Sequence, residues 1–384
     1  MAAVALRAQD LALVHARIYT APDATAIQDG TLVVRNGWIA SVGPGSGIAV
    51  PDNIRTIDCR GLTAMAGFWN SHVHFTEAKW RNAKSAATAQ LEAQLADMLL
   101  SRGFTAVFDT GSETLNTIAL RERVRTGEVL GPLILTTGTP LAPENGTPYY
   151  LKTEPLPEVR TPEEALQRVR ELVNQGVDGI KLFSGSWVTR EKTVTMPSDV
   201  VAAAVAEAHR VGLPVFAHPS DAAGLRSAVE GGVDILAHAE EVPGTIDAAL
   251  MARMNNQGMA LIPTLKLFSR DATLPNILKQ VKSYADSGGD ILFGTDVGYL
   301  TDYDPSQEFD LLAKAGLSFR QILASLTTTP AKRFGYAGRK GRLSTEMDGD
   351  IVVVGGNPEE SIASLSDVRF SVRQGQLFYA RVPR

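Results

Sequence analysis

The middle of the chain alternates between two kinds of hydrophobic pattern. Amphipathic stretches with the period of a helix lead up to glycine, as in LEAQLADMLLSRG and TPEEALQRVRELVNQG. Short apolar runs follow them and end in polar or charged residues, as in FTAVFDTG and VDGIKLFSG. Runs that are apolar at nearly every position are typical of parallel strands buried on both faces. The pattern therefore predicts repeated strand–helix units.

Eight such apolar runs occur between residues 62 and 335, the first being LTAMAGFWNSHVH and the last DILFGTDVG. Most are followed by a helical stretch. Eight strand–helix units predict an α/β fold of the (β/α)8 TIM barrel type over residues 62–335. An open, doubly wound sheet is the alternative. No GxGxxG follows a strand, so the nucleotide-binding form of that alternative has no support.

The two ends of the chain have a different pattern. Residues 1–61 and 336–384 contain short runs separated by turn residues, as in GTLVVRNGWIASVG and VRFSVRQGQLFYARV. Such runs read as short β-strands. We expect both ends to combine in one small β-sandwich domain beside the barrel. The opening MAAVALRAQD is either a flexible terminus or the remnant of an export signal, so cytoplasmic and exported locations both stay open.

Composition narrows the function classes. The chain is 44% hydrophobic with a net charge of −5, and it has no basic block or nucleic-acid-binding motif. No apolar run approaches the ~18 residues of a membrane span. The single cysteine, Cys59, excludes an internal disulfide. We therefore expect a small-molecule partner rather than nucleic acid or membrane; a homo-oligomer is compatible with this composition.

Polar residues stand at the ends of five of the predicted strands. Barrel enzymes place their catalytic groups at the C-terminal ends of the strands. His72 and His74 are two residues apart, so both project from one face of their strand. Four of the six histidines occupy such ends. The complete set is His72, His74, Lys181, His218, His238 and Asp296.

Each of these residues has an ordinary explanation when it is taken alone. A histidine at a strand end is commonly a hydrogen-bonded polar residue, and Asp296 is placed to cap a helix. Lys181 lies in the apolar run GIKLF, where an ammonium needs a carboxylate partner or a route to solvent. Chance is a poor explanation for six such residues at one barrel mouth. The set therefore predicts a functional site.

The same residues, in this order, resemble the amidohydrolase superfamily, and within it the imidazolonepropionase-like and prolidase-like branch. The resemblance extends over nearly the whole chain and includes LPVFAHPSDAAGLRSAVEGGVDILAHAEE, FGTDVG and DGDIVVVGGNPEE. It implies a metal-dependent hydrolase that cleaves a carbon–nitrogen bond of an amide, peptide or carbamate-type compound. The implied nucleophile is a hydroxide that bridges two metal ions.

The resemblance also implies a ligand set for two divalent ions, with zinc the first candidate. His72, His74 and Asp296 would hold one ion, and His218 and His238 the other. Lys181 would bridge them as a carbamate formed with CO2, since a plain ammonium has no lone pair for a metal. Asp296 is the expected catalytic residue. It would take a proton from the attacking hydroxide and pass it to the leaving amine.

Two other functions stay open at this point. Some deaminases of the superfamily use one metal and an acid three residues after the histidine of strand five. Asp221 stands at that position, although it is also placed to cap a helix, and a bridging Lys181 argues against this alternative. A non-catalytic protein with a decayed site is the other, and the complete ligand set opposes it.

The substrate is not predicted by these motifs. A long, proline-rich loop follows strand three, and loops of that length are often functional. Its Tyr149 and Tyr150 are candidates to contact substrate, as are TDYD after Asp296 and an apolar wall made by Phe183 and Trp187. Arg190, Lys192 and Lys266 are candidates to bind a substrate carboxylate, with an ordinary surface role as the alternative for each.

Overall fold

The computed structural model of the protein describes residues 10–151, 155–239 and 248–381. The strands in these ranges are β1 (Leu11–Ile18), β2 (Ile27–Arg35), β3 (Trp38–Pro44), β4 (Arg55–Asp58), β5 (Leu62–Ala66), β6 (Phe68–Val73), β7 (Phe104–Asp109), β8 (Leu133–Thr136), β9 (Ala142–Pro143), β10 (Glu158–Val159), β11 (Ile180–Phe183), β12 (Gly185–Trp187), β13 (Thr193–Thr195), β14 (Val215–His218), β15 (Ile235–Ala237), β16 (Ala260–Ile262), β17 (Asp290–Ile291), β18 (Ile351–Gly355), β19 (Val368–Arg373) and β20 (Gln376–Ala380).

The α-helices follow the amphipathic stretches of the sequence. They are α1 (Thr88–Met98), α2 (Thr114–Arg125), α3 (Pro162–Gln175), α4 (Ser198–Arg210), α5 (Ala222–Glu230), α6 (Ala248–Asn256), α7 (Leu274–Asp286), α8 (Ser306–Lys314), α9 (Phe319–Leu326) and α10 (Thr328–Arg333). The helix α3 shows how their ends are encoded. The Thr161 hydroxyl accepts a hydrogen bond from the Glu164 N–H, and Gly176 ends the helix at a φ of 92°. No helix in the described ranges is long and apolar enough to cross a membrane.

The eight apolar runs each contain one strand of an all-parallel arrangement. Strands β6, β7 and β8 form one sheet, and β11, β14, β15, β16 and β17 form another. Backbone hydrogen bonds connect the two sheets on both sides. Leu141 N–H donates to the Lys181 carbonyl at 2.9 Å, and Ser71 N–H donates to the Phe293 carbonyl at 2.7 Å. The parallel α/β architecture is thus established, and closure into a single barrel stays a prediction.

The space between these strands is filled with aromatic side chains. Trp69 of β6 and Phe108 of β7 both contact Phe334, with ring centroids 5.5 and 4.8 Å apart. Phe216 of β14 lies 4.7 Å from Phe108 in the same cluster. Trp69, Phe108 and Phe216 are buried, and Phe334 packs against them partly buried.

The two chain ends combine in one sheet, in the order β20-β19-β18-β5-β1-β2-β3, with β4 paired to β1. The first half of β1 pairs with β4 and its last residues pair with β5. Strand β5 lies past the boundary predicted at residue 61 and pairs antiparallel with β18. Hydrogen bonds thus unite all these strands in one network, and the sandwich form of the domain stays a prediction.

Candidate active site

Three of the predicted ligands meet at one point beside β6. The Oδ1 atom of Asp296 lies 2.9 Å from Nε2 of His74 and 3.3 Å from Nε2 of His72. The two histidine Nε2 atoms are 3.2 Å apart. Asp296 and His72 are buried, and the His74 side chain is only 15% exposed. The predicted first half of the ligand set is therefore a compact, almost dry cluster.

The surroundings of His74 fix which of its nitrogens carries a lone pair. Its Nδ1 lies 2.8 Å from the carbonyl oxygen of Gly111. A carbonyl only accepts, so Nδ1 is the donor and Nε2 of the neutral ring faces Asp296 with a lone pair. A lone pair so close to a carboxylate oxygen is unfavourable unless a positive charge lies there. A proton on His74 or a metal ion supplies that charge.

His238 is oriented in the same way from the other side of the site. Its Nδ1 lies 2.7 Å from the Thr264 hydroxyl, which donates its own hydrogen to the Pro263 carbonyl at 2.9 Å. His238 Nδ1 is therefore the donor, and its Nε2 keeps a free lone pair. Histidine ligands of metals characteristically donate their other nitrogen in this way. The donor set thus fits a metal centre.

The rings of His238, His72 and His218 form a continuous group. The centroid of His238 is 4.6 Å from that of His72 and 4.6 Å from that of His218. Ligand atoms of His72, His238 and Asp296 all lie within 4.8 Å of one another. The two predicted halves of the ligand set are therefore adjacent, since His72 and His238 link them.

Lys181 is buried at the bottom of the same cavity, on β11. Its Nζ lies 6.0 Å from the ring centroid of Phe183 and makes no hydrogen bond or ion pair with the described residues. Burial lowers the pKa of Lys181 to about 7, against the opposing pull of Asp296 and Asp109. A large fraction of the amine is therefore neutral near pH 7, and the carboxylate partner that an ordinary buried lysine needs is not present in the described part of the chain.

The ionisation of the other ligands follows from burial and from their pairing. Burial lowers the pKa of His72 to about 3 and that of His238 well below its usual value. Burial alone would raise the pKa of Asp296, but the charges and hydrogen bonds of His72 and His74 outweigh it and lower it well below the ordinary range. Burial would lower the pKa of His74 as well, but the hydrogen bond and charge of Asp296 outweigh it and raise that pKa. The site thus holds an ionised carboxylate beside the neutral rings of His72 and His238, and His74 must give up its proton when a metal binds.

Backbone strain is concentrated at these residues. His238 has a φ of 109°, Asp296 of 58° and Thr264 of 45°. A left-handed conformation is uncommon outside glycine, and for a β-branched threonine it is a genuine outlier. Two of these residues are predicted ligands and the third orients one of them. Strain of this kind persists where the surrounding structure holds a functional geometry.

The cluster opens into a cavity of about 690 Å³. All six predicted ligands line it, together with the predicted substrate residues Tyr149, Tyr150 and Trp187. Residues that sequence reasoning missed also line it, among them Tyr299 and Phe268. The rings of Tyr150 and Tyr299 are 5.5 Å apart and connect the loop after β8 to the loop after β17.

Other candidates lie away from this cavity. Asp221 caps α5 by accepting from the Gly224 N–H, and its other oxygen accepts from the Thr193 hydroxyl at 2.6 Å. Tyr303 of the TDYD stretch donates to Glu77 instead of facing the cavity. Neither Asp221 nor Tyr303 lines the cavity. Asp221 is thus a structural residue, as its capping alternative predicted.

The sequence profile of the amidohydrolase family matches residues 63–377. An imidazolonepropionase from Cupriavidus metallidurans is 26% identical over 392 aligned positions, which cover 88% of each chain. A crystal structure of a Xaa-Pro dipeptidase with bound methionine superposes with a TM-score of 0.83 at 23% identity, covering 97% of this chain and 100% of that one. A putative prolidase from Bifidobacterium longum gives a TM-score of 0.84 at 24% identity, with 98% and 96% coverage.

Proposed function

Because this chain belongs to the amidohydrolase family, we propose that it is a metal-dependent hydrolase that cleaves an amide, peptide or carbamate-type carbon–nitrogen bond at the cluster around Asp296. Hydrolysis of carbon–nitrogen bonds in small molecules follows from the family and from relatives such as imidazolonepropionase. The metal centre and the roles of single residues are our proposal. The observation that carries it is the Asp296 carboxylate packed against Nε2 of both His72 and His74.

Two divalent ions, zinc first among them, would be held by His72, His74 and Asp296 on one side and by His218 and His238 on the other. When bound, they would lower the pKa of a water molecule and polarise the substrate carbonyl. Imidazole and carboxylate are ligands that suit zinc and its neighbours in the transition series.

Lys181 would complete the centre as a carbamate. Its amine is buried, partly neutral near pH 7 and free of any partner in the described residues. A neutral amine attacks CO2, and the carbamate that forms after loss of a proton carries one negative charge on two oxygens. That product supplies the bridging ligand that a lysine ammonium cannot, because the ammonium has no lone pair.

Asp296 would carry the proton during turnover. Its low pKa keeps it ionised, so it can accept a proton from the nucleophile and release it to the leaving amine. The Asp296 carboxylate is fixed between His72 and His74. The backbone N–H of Asp296 donates to the His72 carbonyl at 2.9 Å. One carboxylate held at this point would serve both the attacking and the departing atom.

The test combines metal analysis with activity. Purified protein should contain close to two transition-metal ions, lose hydrolysis of amide substrates on dialysis against a chelator, and regain it when zinc is added. A single ion in a metal-replete, active sample would overturn the binuclear centre and favour the mononuclear deaminase. A metal-replete sample that hydrolyses no amide, peptide or carbamate in a broad library would overturn the proposed reaction.

A further inference from the structure

A β-hairpin lies at the cavity mouth directly after the strand that carries Lys181. Its strands are β12 and β13, which pair antiparallel, and its turn spans residues 188–192. The turn closes with the Val188 N–H donating to the Lys192 carbonyl at 2.9 Å. Two residues of this hairpin line the cavity, Trp187 from β12 and Arg190 from the turn.

The hairpin is fixed from two sides. The Ser186 hydroxyl donates to the Gly146 carbonyl in the loop after β8. The Thr193 hydroxyl donates to Asp221 at 2.6 Å, and the Ser220 hydroxyl donates to the Gly185 carbonyl at 3.1 Å. These bonds tie the hairpin to the loops on both of its flanks. Trp187 and Arg190 therefore belong to a hairpin whose two strands are anchored, which favours a role in specificity.

The structure separates the three cations that the sequence offered for binding a carboxylate. Lys266 is committed, since its Nζ donates to the Asp302 carbonyl at 2.9 Å and to the Asp304 carbonyl at 2.7 Å. Lys192 is exposed and does not line the cavity. Arg190 lines it and makes no ion pair with the described residues. Arg190 is thus the cation available at the mouth.

Several aromatic side chains also line the mouth, beside polar residues such as Glu113 and Thr139. Phe183 and Trp187 line it on the hairpin side, Phe268 lines it after β16, and the Tyr150–Tyr299 pair lines it on another side. An arginine beside an aromatic surface suits a ligand that carries both a carboxylate and an apolar group. Its guanidinium binds a carboxylate through two parallel hydrogen bonds, and an aromatic wall gains by covering apolar area.

We propose that Arg190 binds the carboxylate of the substrate and that Trp187 packs against its apolar side chain, so that the substrates are N-acylated apolar amino acids with a free carboxylate. This inference rests on the proposed function and adds the substrate class. One water molecule balances the reaction. The acyl C–N bond breaks, the acyl carbon gains the hydroxyl, and the amino acid nitrogen gains the proton.

The test uses the full chain loaded with zinc and two compounds, N-acetylphenylalanine and its carboxamide. The wild-type protein should prefer the carboxylate. Arg190→Gln should reduce that preference about tenfold, through KM rather than kcat, because one charge-assisted pair is lost at a partly solvated rim. Arg190→Lys should retain part of the preference, since it keeps the charge without the bidentate geometry.

Lys192→Gln is the matched control, because it removes one positive charge from the same turn at a side chain outside the cavity. It should leave the preference as in the wild type. Equal loss of preference in Lys192→Gln would show a general charge effect and overturn the assignment of Arg190. An undiminished preference in Arg190→Gln would overturn it as well.

The two levels of the proposal fail in different ways. Metal-loaded wild-type protein that cleaves other amides and neither test compound would overturn the substrate class and leave the proposed function standing. Metal-loaded protein that cleaves no amide at all would overturn the proposed function itself.

Discussion

The hydroxyl of Thr264 accepts a hydrogen bond from Nδ1 of His238 at 2.7 Å, and it is free to do so because it donates to the Pro263 carbonyl. This bond fixes the imidazole with Nε2 toward His72 and His218. Thr264 holds a left-handed backbone with a φ of 45° to reach that position. The pairing is therefore maintained at a conformational cost.

Replacement of Thr264 tests this orientation. Thr264→Val keeps the shape and removes the acceptor, so the affinity for zinc should fall about ten- to a hundredfold, the usual effect of losing such a partner. Thr264→Ser keeps the hydroxyl and should stay near the wild type. Competition with a chelating dye measures both affinities, and equal affinities for the valine and serine variants would contradict the orienting role.

Asp296→Asn separates proton transfer from metal binding. The amide oxygen still points at the cluster, so the fold and much of the metal content should survive. Hydrolysis should fall by roughly 10²–10⁴-fold because the amide cannot carry the proton. Turnover and metal content are measured on the same sample. Near-normal turnover would show that another group moves the proton.

Asp221→Asn is the companion to that variant. Asp221 accepts from the Gly224 N–H and from Thr193, and it lies outside the cavity. We expect turnover within a few-fold of the wild type and a midpoint of thermal unfolding close to that of the wild type, since asparagine caps a helix about as well as aspartate. A loss of turnover as large as that in Asp296→Asn would support the deaminase alternative.

Lys181→Ala should lose metal and activity together, because the proposed bridging ligand disappears. Formate, acetate or propionate added to the variant should restore part of both, since each supplies a carboxylate in place of the proposed carbamate. The cavity left by the lysine stem gives the acid room. Electron density of the metal-loaded wild type should show a branched group beyond Nζ. Unbranched lysine density in an active, metal-filled enzyme would contradict the carbamate.

Glu308 makes the stability depend on pH. Its carboxylate is buried and accepts hydrogen bonds from the N–H groups of Leu265 and Lys266. These bonds lower the pKa of Glu308, but burial outweighs them and raises it to about 7. Because the pKa of Glu308 is higher in the folded than in the unfolded chain, protonation of this carboxyl favours the folded state. This stabilisation is complete below the pKa of the unfolded chain and is lost as pH rises through 7. The effect cannot exceed about 1.4 kcal/mol per pH unit.

The Glu308→Gln variant isolates this effect, because it removes the titration and keeps the side-chain shape. Urea unfolding at pH 5, 6, 7 and 8 should show the wild type losing stability relative to the variant as pH increases. A constant difference across this range would show that Glu308 stays ionised in the folded state.

The sequence predicted which residues meet at the candidate site because each stands at the end of an apolar strand, where residue type and spacing are both visible. It did not predict Thr264 or Gly111 as their partners. Gly111 acts through a backbone carbonyl, which any residue type supplies, and Thr264 acts through a strained turn that no pattern marks. Contacts between distant loops, such as that of Tyr150 with Tyr299, leave no periodic signal either.

The hydrophobic pattern also did not predict that the first apolar run contains two strands. LTAMAGFWNSHVH is apolar along most of its length, yet it holds β5 of the terminal sheet and β6 of the parallel sheet. The hydrophobic period is the same in both because both strands are buried. Only Gly67 marks the change, and a Cβ there would lie 2.1 Å from the Thr105 hydroxyl oxygen. Close packing thus requires glycine at the change of sheet.

The pairing of β5 with β18 has a consequence for synthesis. Met65 of β5 is opposite Val352 of β18, nearly three hundred residues later in the chain. A growing chain on the ribosome therefore exposes the edge of β5 until almost all of the protein has been translated, and an unpaired apolar edge invites association with other chains. Slow translation near the 3′ end of the message should for this reason favour aggregation, and a chaperone that covers β5 should favour yield.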